Sequence, residues 1–244
     1  MDSTRVGPNL RCTGSVARAW VVTLVLPVLM FAGFAWLVDG PRPAREAAHR
    51  ERRAALAIRD VVDPVEIAAT WAFVGPRLAR AYGEVRSVTE RLDDDGEARR
   101  RFVADFRALA AAYPEVDVYC LAHGNDYVDL LRDVPRELTA RLRVVYNSGC
   151  TCGAQAGDWL ALGADSYVAH PEIAAHAPFF FYFARRWWAG ATLAEAATAA
   201  QAQADAFFER LVPLGGGWHE ARDQVARSPG TVHGDATLTL EGSP

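Results

Sequence analysis

The chain has 244 residues, of which 51% are hydrophobic and 23% charged, and it carries a formal net charge of -4. That balance suits one globular domain with an appendage, and the negative charge, set against 26 basic residues that are all arginine, gives no sign of a nucleic-acid partner. Four cysteines (Cys12, Cys120, Cys150 and Cys152) are too few for a disulfide scaffold in a chain this long, and they favour a reducing compartment.

A short basic tail, residues 1–18, precedes an uncharged run of 20 residues, 19–38, long enough to cross a bilayer as a helix. Trp20 and Trp36 stand near its ends, where indoles favour the interface. A cleaved signal peptide is the rival, with Arg5, Arg11 and Arg18 as its basic start. The apolar run is longer than such peptides use, and no Ala-x-Ala site follows it. The expectation is therefore an uncleaved single-pass anchor. Arg42, Arg45, Arg50, Arg52 and Arg53 after the span outnumber the three arginines before it, which places the following domain on the cytoplasmic side. Residues 39–55, with Pro41, Pro43 and the arginine cluster, read as a charged juxtamembrane linker, and 56–240 as the folded domain.

Ala54 to Arg59 is a candidate first strand. Asp63-Pro64-x-Glu66 then offers an N-cap, a first-turn proline and an acid three residues on. Ile67, Trp71, Val74, Leu78 and Tyr82 follow at helical spacing, with a kink expected at Pro76. Val85 to Thr89 reads as a second strand, Asp93-Asp94-Asp95-Gly96 as a turn, and Phe102, Phe106, Leu109 and Tyr113 as the buried face of the next helix. Val116 to Ala122 is a third strand, followed by His123-Gly124; a short helix spans about Pro135 to Arg141. A fourth strand begins at Leu142 and leads to Ser148-Gly149-Cys150; a helix from about Ala154 to Leu162 and a strand from Ser166 to Ala169 follow. Thr192-x-x-Glu195 opens an alanine-rich helix running to about Arg210. The tail from Pro213 is glycine-rich and polar, apart from Thr237-Leu-Thr-Leu240, a possible edge strand.

Strands that alternate with helices predict a mostly parallel sheet covered on both faces, with functional residues at the carboxyl ends of the strands. His123 and Cys150 both fall at that edge. If their strands are neighbours, the ends lie roughly 4.8 Å apart, within reach for an imidazole to make a thiolate available near neutral pH.

Ala122-His123-Gly124 after one strand and Ser148-Gly149-Cys150-x-x-Gly153 after the next resemble the caspase-like cysteine peptidases, especially their bacterial gingipain-like and CHAT-domain members. Gly163-Ala164, the run Phe179-Phe180-Phe181-Tyr182-Phe183, Gly190 and Leu193-Ala-Glu-Ala196 are similar to the part of those domains in which an aromatic helix precedes a Gly-x-x-x-x-Glu-Ala helix start. Gly234-Asp235-Ala236-Thr237-Leu238 resembles their Gly-Asp-Pro-x-Leu element, with Ala236 where proline is usual. The resemblance covers about residues 54 to 240. It implies a caspase-like three-layer α/β/α domain behind one N-terminal transmembrane helix, and a membrane-anchored cysteine endopeptidase acting on polypeptides. It makes Cys150 the nucleophile, His123 the general acid/base, and the N–H groups of Gly124 and Cys150 the oxyanion hole, with no cofactor and no metal. Only 27 residues separate the dyad, so the loops that usually grip substrate between these strands are reduced. No acid is assigned to a specificity pocket: Asp126, Asp158, Asp165 and Glu172 are all candidates, and each is read first as a solvated charge.

Other readings of the same residues stand beside this one. Cys150 is readable as a buried structural thiol, as Cys120 in mid-strand is; Cys152 is readable as a metal ligand beside Cys150 and His123, although no Cys-x-x-Cys is present. His170 and His176 are read as local structure, and His49, His219 and His233 carry no signal. The alternative to an enzyme is a non-catalytic caspase-like binding or assembly module at the membrane, with Phe179 to Trp188 docking a partner.

Overall fold

The computed structural model describes residues 49–60, 75–90, 96–172, 176–215 and 217–241. The 19–38 span, the Asp63-Pro64 helix start with Ile67, Trp71 and Val74, the acidic turn at 93–95 and Cys12 lie outside them. Among the described residues no helix is long and apolar enough to cross a membrane.

The chain runs β1 (Arg53–Asp60), α1 (Gly75–Ala81), β2 (Glu84–Glu90), α2 (Glu97–Ala112), β3 (Glu115–Leu121), α3 (Tyr127–Leu130), α4 (Arg136–Thr139), β4 (Leu142–Asn147), α5 (Ala156–Leu162), β5 (Ser166–Ala169), α6 (His176–Trp187), α7 (Leu193–Leu211), α8 (Trp218–Arg227) and β6 (Thr231–Gly234). The strands form one sheet in the order β2-β1-β3-β4-β5-β6. The first five are parallel, and β6 closes one edge antiparallel to β5.

Alternation along the strands sorts the core into two layers. Leu56, Ile58, Val116, Val118, Cys120 and Val145 face Phe102, Phe106 and Leu109 of α2, together with Tyr127, Leu131 and Trp159. Ala55, Ala57, Tyr119, Val144, Tyr146 and Val168 face Leu78, Tyr82, the α6 aromatics and the alanine stripe of α7. The result is an α/β domain with a mostly parallel sheet between two helical layers, as the alternating pattern predicts. Fully burying a side chain such as Phe102 or Phe106, both without exposure, stabilises the fold by about 1.5–3 kcal/mol.

The amino ends of the central strands carry buried charge. Arg143 Nε and Nη2 donate to Asp117 Oδ1 and Oδ2 at 3.0 and 2.5 Å, and Tyr82 Oη donates to Asp117 Oδ2 at 2.6 Å. Arg143 Nη1 donates to the Thr239 carbonyl at 2.8 Å, while Arg53 pairs with Glu115 at 2.5 Å and also holds the Leu240 carbonyl. These guanidinium bonds accompany a correction: Thr237 to Leu240 forms no edge strand and keeps only a single β-bridge, at Thr239. The Thr239 and Leu240 carbonyls accept from arginine side chains and that of Leu238 from the Leu193 N–H, and the edge strand forms earlier, at Thr231–Gly234. A second correction concerns the tail after Pro213, which contains α8. Ala221 and Val225 of that helix pack on Phe208 and Leu211 at the end of α7.

Thr192 opens α7 as the spacing predicts. Its hydroxyl accepts from Glu195 N at 3.2 Å, and the Glu195 carboxylate accepts from Thr192 N at 2.9 Å.

Candidate active site

Three adjacent strands deliver the site. Arg59 of β1 pairs with Leu121 of β3, and Cys120 with Asn147 of β4. The residues that follow each strand therefore leave the same edge side by side: Asp60 ends β1, His123 stands two residues beyond β3, and Cys150 three beyond β4.

One carboxylate oxygen of Asp60 is shared by two donors of His123. Asp60 Oδ2 lies 2.8 Å from the backbone N and 2.8 Å from ring Nδ1. The Asp60 side chain is 20% exposed and that of His123 47%, so the pair sits at an open rim.

The loop carrying Cys150 is tied to the His123 loop by amides. Asn125 and Asn147 exchange side-chain hydrogen bonds of 2.9 and 3.1 Å; Asn125 Nδ2 also donates to the His123 carbonyl at 3.0 Å, and Gly149 N donates to Asn147 Oδ1 at 2.9 Å. Ser148 N donates to the Cys120 carbonyl at 2.9 Å, which keeps this turn on the β3 side. Thr151 follows at φ 60°, the left-handed region, and its N–H donates to the Glu172 carbonyl at 2.9 Å. A β-branched residue held there is strained. The turn after β4 is thus over-determined by its neighbours.

Glycine is demanded at position 149, where a Cβ would overlap Cys152 Sγ and stand 2.7 Å from Asn125 Nδ2. Gly124 differs: a Cβ there would rest 3.5 Å from the Cys150 carbonyl oxygen, an ordinary contact. That contact also shows how closely the two loops abut.

Gly124, Asn125, Asp126, Cys150, Thr151, Cys152, Gln155 and Arg99 line one open cleft of about 360 Å³. Cys150 is half-buried on its wall, whereas Cys120 and Cys152 are buried. Burial, and then the nearby Cys152, pushes the Cys120 thiol well above its usual range. Burial also raises the Cys152 thiol, with a backbone hydrogen bond from Asn125 partly offsetting it. Gln155 Nε2 donates to the Asn125 carbonyl, and Tyr167 Oη donates to the Cys152 carbonyl at 2.8 Å. Cys152 is therefore part of the packing beneath the loop.

Of the four candidate acids, Asp126 lines the cleft and pairs with Arg99 at 2.9 Å. Arg99 is also held by Glu90 at 2.7 Å. Asp158 pairs with Arg132 on the surface of α5. Asp165 precedes β5 at the opposite edge of the sheet, where burial raises its carboxyl. Glu172 is exposed beside Thr151 and reaches it through its carbonyl. His170 is buried, its Nδ1 2.9 Å from the Ser228 carbonyl, and serves the loop behind the cleft, where its own carbonyl accepts from Gly153 N. In the aromatic segment Phe179, Phe180, Tyr182, Phe183, Trp187 and Trp188 are buried in the core, while Phe181, Arg185 and Arg186 are half-buried. Among the described residues no three His, Cys, Asp or Glu side chains converge as a metal site would need.

Sequence reasoning missed Asp60. The available signal was an apolar strand closing on an acid at the edge where His123 and Cys150 emerge. A scan against protein-family models finds no match, and a search of the curated proteins finds none either.

Proposed function

We propose that this protein is a caspase-like cysteine peptidase in which Cys150 attacks a peptide carbonyl and His123 moves the proton. The observation that carries the reading is that His123 and Cys150 leave neighbouring parallel strands at one edge, on loops bonded to each other beside an open cleft. The Cys150 thiolate adds to the carbonyl carbon, and the oxygen that gains the charge is received by the Gly124 and Cys150 N–H groups. The imidazolium of His123 then gives its proton to the departing amine, leaving a thioester on Cys150. Water, deprotonated by His123, hydrolyses the thioester. Residues 19–38 would hold the domain at the cytoplasmic face of the membrane, and the protein should then stay in the membrane fraction through alkaline carbonate extraction.

Turnover of a peptide library by the protein under reducing conditions tests the reaction. Cys150→Ala and His123→Ala should each abolish cleavage to a similar degree, because the two act as a unit, while the melting temperature of Cys150→Ala stays close to wild type. If wild type cleaves nothing and Cys150→Ala melts far lower, Cys150 is a packing residue and the binding-module reading replaces this one.

A further inference from the structure

Three cysteines stand in a row beside the cleft. Cys150 is half-buried and Cys152 buried, yet both line the same cleft, and Cys120 is buried with Cys152 in the core layer beneath it. Charge on Cys150 bears on the Cys152 thiol, and charge on Cys152 bears on the Cys120 thiol, so Cys152 is the middle member. Cys150 and Cys152 are also close by construction. Their Cα atoms are two residues apart along the chain and so no more than roughly 7 Å from each other, and Cys152 N donates to the Gly149 carbonyl at 3.3 Å, which folds the stretch between them into a turn. A disulfide spans a Cα separation of about 4.4–6.8 Å. Gly149, having no Cβ, leaves room for Cys152 Sγ against the main chain one residue before Cys150. The Cys152 thiol is held there by sulfur contacts of 3.9 Å to the Asn125 carbonyl and 3.8 Å from Gln155 Nε2, and sulfur is a weak hydrogen-bonding group.

We propose that Cys152 is the resolving thiol of Cys150: after a hydroperoxide oxidises Cys150, Cys152 closes a reversible disulfide with it. The Cys150 thiolate attacks the peroxide, an S–O bond forms as the O–O bond breaks, and the departing alkoxide takes up the proton that Cys150 released. The products are a sulfenic acid and an alcohol, or water when the oxidant is hydrogen peroxide. The Cys152 thiolate then attacks the Cys150 sulfur. The S–S bond forms as the S–O bond breaks, and hydroxide leaves and joins the proton from Cys152 as water. Two electrons pass from sulfur to the peroxide, and an external dithiol returns them by thiol exchange. In the disulfide form Cys150 can neither attack a carbonyl nor proceed to the irreversible sulfinic acid. The role requires only that Cys150 be a reactive thiol, and it goes beyond the peptidase reading, since it holds whether or not a peptide is the substrate.

The test needs no substrate. Reduced full-length protein is treated with a few equivalents of hydrogen peroxide, the remaining thiols are blocked with iodoacetamide, and peptides are mapped by mass spectrometry for wild type, Cys152→Ser and Cys120→Ala. In wild type the peptide carrying Cys150 and Cys152 should lose two hydrogens, escape alkylation, and regain both hydrogens on treatment with dithiothreitol. Cys120→Ala should behave in the same way. Cys152→Ser should form no such bond and should accumulate Cys150 sulfinic acid several-fold faster. Equal sulfinic acid in wild type and Cys152→Ser overturns the proposal, as does a disulfide that joins Cys152 to Cys120 or Cys150 to a second molecule, or a Cys150 that stays reduced. Should Cys152→Ser not fold, the wild-type product decides alone: a bond between Cys150 and Cys152 supports the role, and any other product refutes it. Peptide turnover is no part of the readout, so a wild type that cleaves nothing overturns the peptidase reading and leaves the resolving role standing.

Discussion

Replacing Asp117 by leucine would strip the carboxylate from a guanidinium that has no access to water. Asp117 is 1% exposed and Arg143 4%. Burial works against the charge on Arg143, and Asp117, Tyr82 and Glu115 together outweigh it, holding the guanidinium above its usual range. Without Asp117, Arg143 keeps the Thr239 carbonyl and a 3.7 Å approach to Glu115, and the Val144 N–H, 3.3 Å from Asp117 Oδ1, loses that acceptor. Breaking a buried pair on one side costs about 3–5 kcal/mol. In a domain of this size each kcal/mol moves the melting temperature by about 2–4 °C, so a drop of about 6–20 °C is expected. Adding Arg143→Met should recover part of the loss, because no unpaired charge then remains in the core. Urea titrations and thermal melts of the two variants and wild type measure this. A loss below about 1 kcal/mol for the single variant, or a double variant no more stable than the single one, would refute the reasoning. Cys150 alkylation in the folded fraction should be unaffected, since Arg143 lies near the amino end of β4.

Limiting iodoacetamide should label Cys150 ahead of Cys120 and Cys152, whose thiols are buried and raised; preferential labelling of Cys152 would move the nucleophile by two positions. Gly149→Ala should overpack the turn at a cost of about 1–3 kcal/mol and slow Cys150 alkylation; adding Cys152→Ala should restore part of both, and no restoration would mean that the clash with Sγ is not the cause. Burial lowers the His170 pKa from its usual 6.5, with the Ser228 carbonyl partly offsetting this. The unfolded chain therefore takes up that proton first as pH falls, and stability complete above 6.5 is lost below it, down to the folded pKa. His170→Gln should flatten the melting temperature between about pH 7 and 5.5, and identical slopes in the two proteins would sink the argument.

The strands were legible because each is a short apolar run between turn residues; Ser166–Ala169 falls where the pattern puts it, and β1 and β2 extend only one residue beyond each end of their expected bounds. The edge carrying His123 and Cys150 followed from alternation alone. What could not be read depended on partners distant in sequence. Asp60 meets His123 across 63 residues, and the acid that closes β1 gains its meaning only from the pairing of β1 with β3. Helix α8 is mostly polar, and its face of Ala221 and Val225 has meaning only against Phe208. Thr237 to Leu240 has the composition of a strand, but two arginines from the amino ends of β1 and β4 claim its carbonyls first. Four acids were equal candidates for the cleft, and only the path of the loop after β3 distinguishes Asp126 from the rest.

The clasp between Arg53 and Leu240 spans 187 residues, and that between Arg143 and Thr239 spans 96. Closing the longer loop costs about 2 kcal/mol more entropy than closing one of about 20 residues, and contacts this remote in sequence slow folding. Until the last segment returns, two guanidinium groups at the amino ends of central strands keep only part of their bonding and hold water at that edge. Refolding should therefore finish at the end of the sheet farthest from Cys150, in a phase that removing residues 239–241 would abolish.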